Sequence, residues 1–305
     1  MASVAVMTAG AVLTGSGTPA HAAQSASIKV ACGDAKKLVS AFKTANKQST
    51  ATIVLNPNKN ANCTYALSNL WNGLNAGVAL VSRGKNTVVQ GNGAVLTLAP
   101  KADARVLIKV NAGVTTLRNL VLAPGSANEA LWVKSGKTVL AGNTEARGGD
   151  YLPIESGATL EMGDTSSVHG HHTHGIYNQG GTLVMSGRSR VYDNHAGPGT
   201  DGGGVWNLGT MTMKDHASIS GNSVQGQTGL DQGGNYGNGG GVNNKGTLTV
   251  QDQATITDNT ATPRTTGGMG GGIYNSSTTT VPTGSVTGNK PTQCDGPKPV
   301  TGCTT

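Results

Sequence analysis

The sequence predicts an all-β chain wound as a parallel β-helix, a three-sheet solenoid with a short N-terminal capping helix. Composition is the first observation. Of 305 residues, 47 are glycine, only ten are aromatic, and 12% are charged, about half the usual globular share. That mixture argues against an ordinary globular α/β enzyme. Persistence of regularly spaced Val, Ile and Leu is the second observation, and it argues against a charged disordered tail. Collagen is excluded too, because glycine has no period of three. Internal repetition is the third. Gly175-Ile176-Tyr177-Asn178 recurs as Gly204-Val205-Trp206-Asn207, Gly241-Val242-Asn243-Asn244 and Gly272-Ile273-Tyr274-Asn275. Each is followed by a strand-like segment such as Thr247-Leu248-Thr249-Val250, a short turn, and a second segment ending in Asn194, Asn222, Asn259 or Asn289. One such unit cannot bury its apolar face alone, so units must stack.

In chain order, residues 1–22 read as a secretory signal. An apolar stretch from Val4 to Leu13 leads to Ala20-His21-Ala22, an A-x-A cleavage pattern, although no Lys or Arg precedes Lys29. That stretch is too short and too rich in Gly and Thr for a membrane span, and no second apolar run is long enough for one. Residues 23–50 are expected to form an N-terminal cap. Within it Asp34 to Asn46 reads as a helix with Asp34 as N-cap and Leu38, Phe42 and Ala45 on one apolar face. The β-helix is expected over 51–290. Its early strands are Ala51–Leu55, Val78–Val81, Thr87–Val89, Val95–Leu98, Val106–Ile108, Val114–Leu117 and Leu131–Val133. In the repeats, Val205, Val242 and Ile273 are expected in one inward column, Leu183, Met211 and Leu248 in a second, and Val191, Ile219, Ile256 and Val286 in a third. The asparagine columns are expected to hydrogen-bond along the axis and to take up the left-handed geometry of a corner. Spacings of 29, 37 and 31 residues between the repeat glycines place insertions at 195–203, 223–240 and 260–271, all at one edge of the solenoid. Residues 291–305 form a C-terminal tail. The four cysteines fit an oxidising compartment, with local pairing, Cys32–Cys63 and Cys294–Cys303, the simplest of three connectivities.

Two stretches resemble known families. The Gly-Gly-Gly-Val/Ile-x-Asn units resemble the repeats of chlamydial polymorphic outer membrane proteins. Val30-Ala31-Cys32, the Leu38–Asn46 helix, Thr52–Leu55, Cys63–Leu67 and Val88–Leu96 resemble secreted actinobacterial β-helix proteins of the pectin-lyase-like superfamily. The resemblance implies a right-handed parallel β-helix and an extracellular, secreted protein, in the medium or associated with the cell envelope. It brings no catalytic residues.

Candidate chemistry is sparse. Asp164, Asp215 and Asp252 occupy one repeated turn position and read as turn residues. Asp150, Glu155 and Glu161 are not repeated and, with Arg147, are the acid/base candidates. The run Val168-His169-Gly170-His171-His172-Thr173-His174 places His171 in the slot of Asn194 and His172 beside His195. His172 and His195, with His169 or His174 assisting, are candidate ligands for a divalent metal; no other cofactor is expected. Tyr177, Trp206 and Tyr274 are expected to form an outward aromatic column interrupted by Asn243, a platform for sugar rings or packing beneath the insertions. The net charge of +7 suits a polysaccharide or cell-surface glycan partner. Nucleic acid is not expected, because no aromatic residues interleave with the basic ones. The expected protein is a monomeric binding and scaffold module of the envelope or extracellular matrix, carbohydrate-binding and non-catalytic. The alternative is a polysaccharide lyase or glycoside hydrolase acting on an acidic polysaccharide.

Overall fold

The computed structural model describes residues 26–68, 77–226, 237–262 and 270–303. The signal expected at 1–22 and the insertion tips at 227–236 and 263–269 lie outside the described residues. The described chain is a parallel β-helix, and each turn contributes one strand to each of three long columns. The first column runs from Ala26–Val30 and Ala51–Leu55 to Thr247–Val250 and Thr278–Thr280. The second runs from Thr64–Leu67 to Val286–Thr287, and the third from Val78–Ser82 to Cys294–Asp295. A fourth, short column stacks His195–Ala196, Ser223–Gln225 and Thr260–Thr262 where the insertions begin.

Register follows from burial. The three expected inward columns are all inside: Ile176, Val205, Val242 and Ile273 in the third sheet, Leu183, Met211 and Leu248 in the first, and Val191, Ile219, Ile256 and Val286 in the second. None is more than 2% exposed. Each such side chain contributes about 1.5–3 kcal/mol on burial. A one-residue slip would turn a whole column outward, so the pairing is tightly specified.

The repeat signature has a steric cause. A Cβ on Gly241 would lie 2.7 Å from the Gly272 carbonyl oxygen and 2.9 Å from the Asn259 Nδ2. Gly175, Gly204 and Gly272 meet the equivalent groups at 2.5–2.9 Å, so the third-sheet entrance closes only without side chains. The asparagine ladder is as expected. Asn194 Nδ2 donates to Asn222 Oδ1 at 2.8 Å, Asn222 to Asn259 at 2.9 Å, and Asn259 to Asn289 at 3.0 Å. A second ladder joins Asn178, Asn207, Asn244 and Asn275 at 2.7, 2.7 and 3.0 Å. The left-handed geometry, however, falls one residue earlier than expected, at Asp193, Gly221, Asp258 and Gly288 with φ of 50°, 64°, 57° and 68°. Asp164, Asp215 and Asp252 are the turn residues expected of them. They have φ of 53°, 58° and 54°, and each accepts a backbone N–H from the neighbouring turn.

Three features of the elements differ from expectation. The segments read as Thr87–Val89 and Val95–Leu98 are one bent strand, Asn86–Leu98, that serves the first two sheets in turn, with its register shifting between Gln90 and Ala94. Ala26–Val30, assigned to the cap, is a strand of the first sheet. Cys294–Asp295, assigned to the tail, adds a further rung to the third. The helix is Ala35–Ala45, with Lys37 N–H donating to the Asp34 carboxylate at 2.9 Å. Its buried Leu38, Val39, Ala41, Phe42 and Ala45 join the solenoid core. Both disulfides are local, Cys32–Cys63 and Cys294–Cys303.

Candidate functional site on the outer face of the third sheet

Register in the third sheet builds one outward row across the molecule. Lys109 pairs with Trp132, Pro153 with Tyr177, Tyr177 with Trp206, Trp206 with Asn243, and Asn243 with Tyr274. The Ile154–Val133 pairing sets Pro153 beside Trp132. The expected aromatic column of Tyr177, Trp206 and Tyr274 is therefore present, with Asn243 interrupting it. Reading the repeats alone missed Trp132, because the rung that carries it lacks the Gly-x-Asn signature.

The rings are not free-standing. Tyr177 stacks on Trp206 with centroids 4.7 Å apart and planes 17° apart. His174 meets Tyr151, Tyr177 and Trp206 at 5.5 Å each. The Lys245 ammonium lies 5.3 Å from the Trp206 ring. The Lys109 ammonium lies 3.7 Å over Trp132, whose indole N–H donates to Glu155 Oε1 at 3.1 Å. Asp201, buried beside this cluster, accepts the Gly237 and Asn238 N–H groups. Trp132, Tyr177, Trp206 and Tyr274 are each half-buried. Asn243 is fully buried with neither amide atom hydrogen-bonded, and the Trp206 indole N–H is likewise closed off without a partner.

The four acid/base candidates do not gather. Arg147 lies on the second sheet, 3.8 Å from Glu145. Glu161 lies on the first sheet, ion-paired with Lys137 at 2.6 Å. These positions project from different walls of the solenoid. Glu155 lies on the third sheet and Asp150 in the bend that leads into its strand, where Asp150 lies beside a carboxylate the sequence reading overlooked. Glu129 begins the strand that carries Trp132. Burial, with the negative charge of Asp150 next in size, pushes its carboxyl up to about 7. Lys109 is held below its ordinary value by burial and by Lys134.

The histidines also disperse. The expected register holds, since the His195 N–H donates to the His171 carbonyl and so sets His195 beside His172. The His195 ring bonds Ser223 Oγ at 2.9 Å instead. His169 stacks on Tyr192 at 4.6 Å and lies 3.7 Å from Glu145. His174 faces the Asp201 carbonyl at 3.0 Å, and burial lowers it to about 4. Among the described residues, no three His, Cys, Asp or Glu side chains are grouped to hold a metal ion. Also among these residues, no helix is long and apolar enough to cross a membrane. Comparison with known proteins finds no matching family model, curated protein or solved structure.

Proposed function

We propose that this is a secreted carbohydrate-binding protein whose ligand lies along the outer face of the third sheet. The observation that carries the reading is the register of Trp132, Tyr177, Trp206 and Tyr274 in one outward row. From Trp132 to Tyr274 the row crosses five strand spacings of about 4.8 Å, or roughly 24 Å. A chain of sugar rings laid parallel to the solenoid axis would meet the edge or face of an aromatic ring on most rungs. Half-covered aromatics flanked by a few polar groups are the usual lining of a small-molecule site. Two disulfides support an extracellular setting, as does the A-x-A pattern at Ala20-His21-Ala22, which sets Ala23 as the first residue of the exported protein.

The experiment is a glycan array with the protein purified from culture medium, followed by calorimetric titration of the best soluble ligand into wild type, Trp206→Ala and Tyr177→Ala. Each substitution is expected to weaken binding by roughly 1–3 kcal/mol, the scale of interface aromatics. Trp206→Ala is also expected to melt earlier, because the ring packs against Tyr177 and His174. Unchanged affinity in both variants, or no glycan bound at all, would overturn the reading.

A further inference from the structure

The outer face of the first sheet carries a pattern that glycan binding on the third does not use. Register sets two straight files of threonine on it. In one file Thr159 pairs with Thr182, Thr182 with Thr210, Thr210 with Thr247, and Thr247 with Thr278. In the other Thr212 pairs with Thr249, Thr249 with Thr280, and Thr280 with Thr301. Leu183, Met211 and Leu248, each following a threonine of the first file, are buried, so alternation along the strands turns both files outward. Thr210, Thr247, Thr278, Thr280 and Thr301 are exposed, and the other four are half-buried. Among the described residues, none of these hydroxyls is hydrogen-bonded to another protein group. On the N-terminal side the array ends at an ion pair, with Lys137 in the first file and Glu161 in the second. Sheet propensity favours branched residues on such a face, and Val184, which precedes Thr212 in its file, would satisfy it as well. It does not account for a hydroxyl at every other position of both files, with no charge among them.

We propose that this face binds crystalline ice. Spacing is the first reason. Threonines along a file stand about 4.8 Å apart, and two residues of strand set the files about 6.6 Å apart. Water oxygens on the prism faces of hexagonal ice repeat on a rectangular grid with edges close to these, slightly shorter than the one and slightly longer than the other. Side-chain stiffness is the second reason. Branching at Cβ holds each threonine to few rotamers, so hydroxyls and methyls repeat with the backbone. A hydroxyl donates one hydrogen bond and accepts two, and so can hold a water at a grid point. A methyl offers no bond, and water above it must bond sideways to its neighbours, as water in ice does. Selectivity is the third reason. The two files carry no charge that would keep a hydration shell of its own. Among the described residues, no strand of the first sheet carries an aromatic ring on which a sugar could stack. A regular, uncharged grid fits a solid of the same period. The face lies on a different wall from the aromatic row, so this inference stands apart from the carbohydrate reading.

The test grows ice slowly in a dilute solution of the full protein, with an unrelated protein of similar size as reference. Wild type is expected to be carried into ice that excludes the reference, and to keep ice grains small in a frozen film held just below melting. Thr247→Lys combined with Thr249→Lys, at the centre of the grid, is expected to abolish both effects, because a lysine ammonium keeps its own water shell on a flexible stem. The matched change Thr257→Lys, at an outward position of the second sheet, is expected to leave both intact. Should the double variant melt below room temperature, Thr210→Lys on the neighbouring rung replaces it, with the same loss expected. Exclusion of wild type from ice overturns the proposal, as does unchanged incorporation of the centre variant or an equal loss in Thr257→Lys. Capture of wild type by crystalline cellulose or chitin, abolished by the centre variant while ice excludes wild type, also overturns it and assigns the face to a polysaccharide. Trp206→Ala is expected to be carried into ice like wild type. Failure of every glycan to bind would overturn the third-sheet reading and leave this one standing.

Discussion

His171 fills an asparagine slot with a different chemistry. Its backbone N–H donates to Asn194 Oδ1 as a ladder residue should, and its Nε2 faces the Ala146 carbonyl at 3.3 Å. A carbonyl only accepts, so Nε2 carries the proton and the buried Nδ1 lone pair has no partner. Burial lowers the ring to about 4. The sign follows directly. The unfolded ring takes up a proton near 6.5 and the folded ring only near 4, so this contribution is intact above 6.5 and is lost as pH falls through 4. His171→Asn is expected to extend the ladder and abolish this acid sensitivity, a gain on the order of 3 kcal/mol at pH 4 and little at pH 8. Thermal melts of the two proteins at both values check it. Glu129 has the opposite sign. Its raised value stabilises below about 4.5, and that contribution is lost as pH rises through 7, so Glu129→Gln should flatten the wild-type decline between pH 5 and 8. The slot of His171 was legible because the repeat sets a register from Val168 onward. Glu129 was not, because it stands in a rung without repeat partners, and in the sequence it differs in no way from a solvated strand end. Only the groups packed around it in three dimensions distinguish it.

At the scale of the element, the ladders set the spacing of the coils. Asn222 donates to Asn259 Oδ1 and to the Val191 carbonyl, and accepts from both the backbone and side chain of Asn194. Asn178, at the end of the other ladder, donates to Asn207 Oδ1 and the Thr210 carbonyl, but its own Oδ1 accepts nothing. Removing Asn222 orphans more buried groups. Asn222→Ala is expected to cost about 2–4 kcal/mol, measurably more than Asn178→Ala, in urea melts at pH 7. Equal losses would show that the ladder adds nothing beyond volume. Ladder and core columns were legible because identical residues recur at a fixed place in each turn. The bent strand Asn86–Leu98 was not. Its Gly91-Asn92-Gly93 segment carries the composition of a turn, while Gly91 is glycine because a Cβ there would lie 2.3 Å from the Leu120 Cβ. Close approach of the neighbouring strand, not a chain reversal, accounts for it.

Across the whole molecule each coil touches only its neighbours, so the ends decide how the solenoid opens. At the N-terminal end the helix inserts Leu38 and Phe42 into the core, and Cys32–Cys63 ties that end down across a separation of 31 residues. Closing such a loop contributes about 3–4 kcal/mol in the chain-entropy picture. At the other end Cys294–Cys303 closes a separation of 9 residues, worth about 2–3 kcal/mol on the same basis. The two bridges should nevertheless differ in kind. Cys294–Cys303 holds one rung, Cys294–Asp295, and the bridge from Thr280 to Thr301. Cys32–Cys63 joins the cap to a first sheet and second sheet that share the continuous strand Asn86–Leu98. Loss of the N-terminal bridge therefore loosens two faces at once. In hydrogen exchange, Cys294→Ser with Cys303→Ser is expected to deprotect residues 278–303 and leave the ladder from Asn194 to Asn259 unchanged. Cys32→Ser with Cys63→Ser is expected to deprotect the helix and the strands as far as 98, and to lower the global melting temperature. If instead the C-terminal pair collapsed protection along the whole ladder, the coils would be acting as one cooperative unit and nearest-neighbour stacking would not describe this molecule.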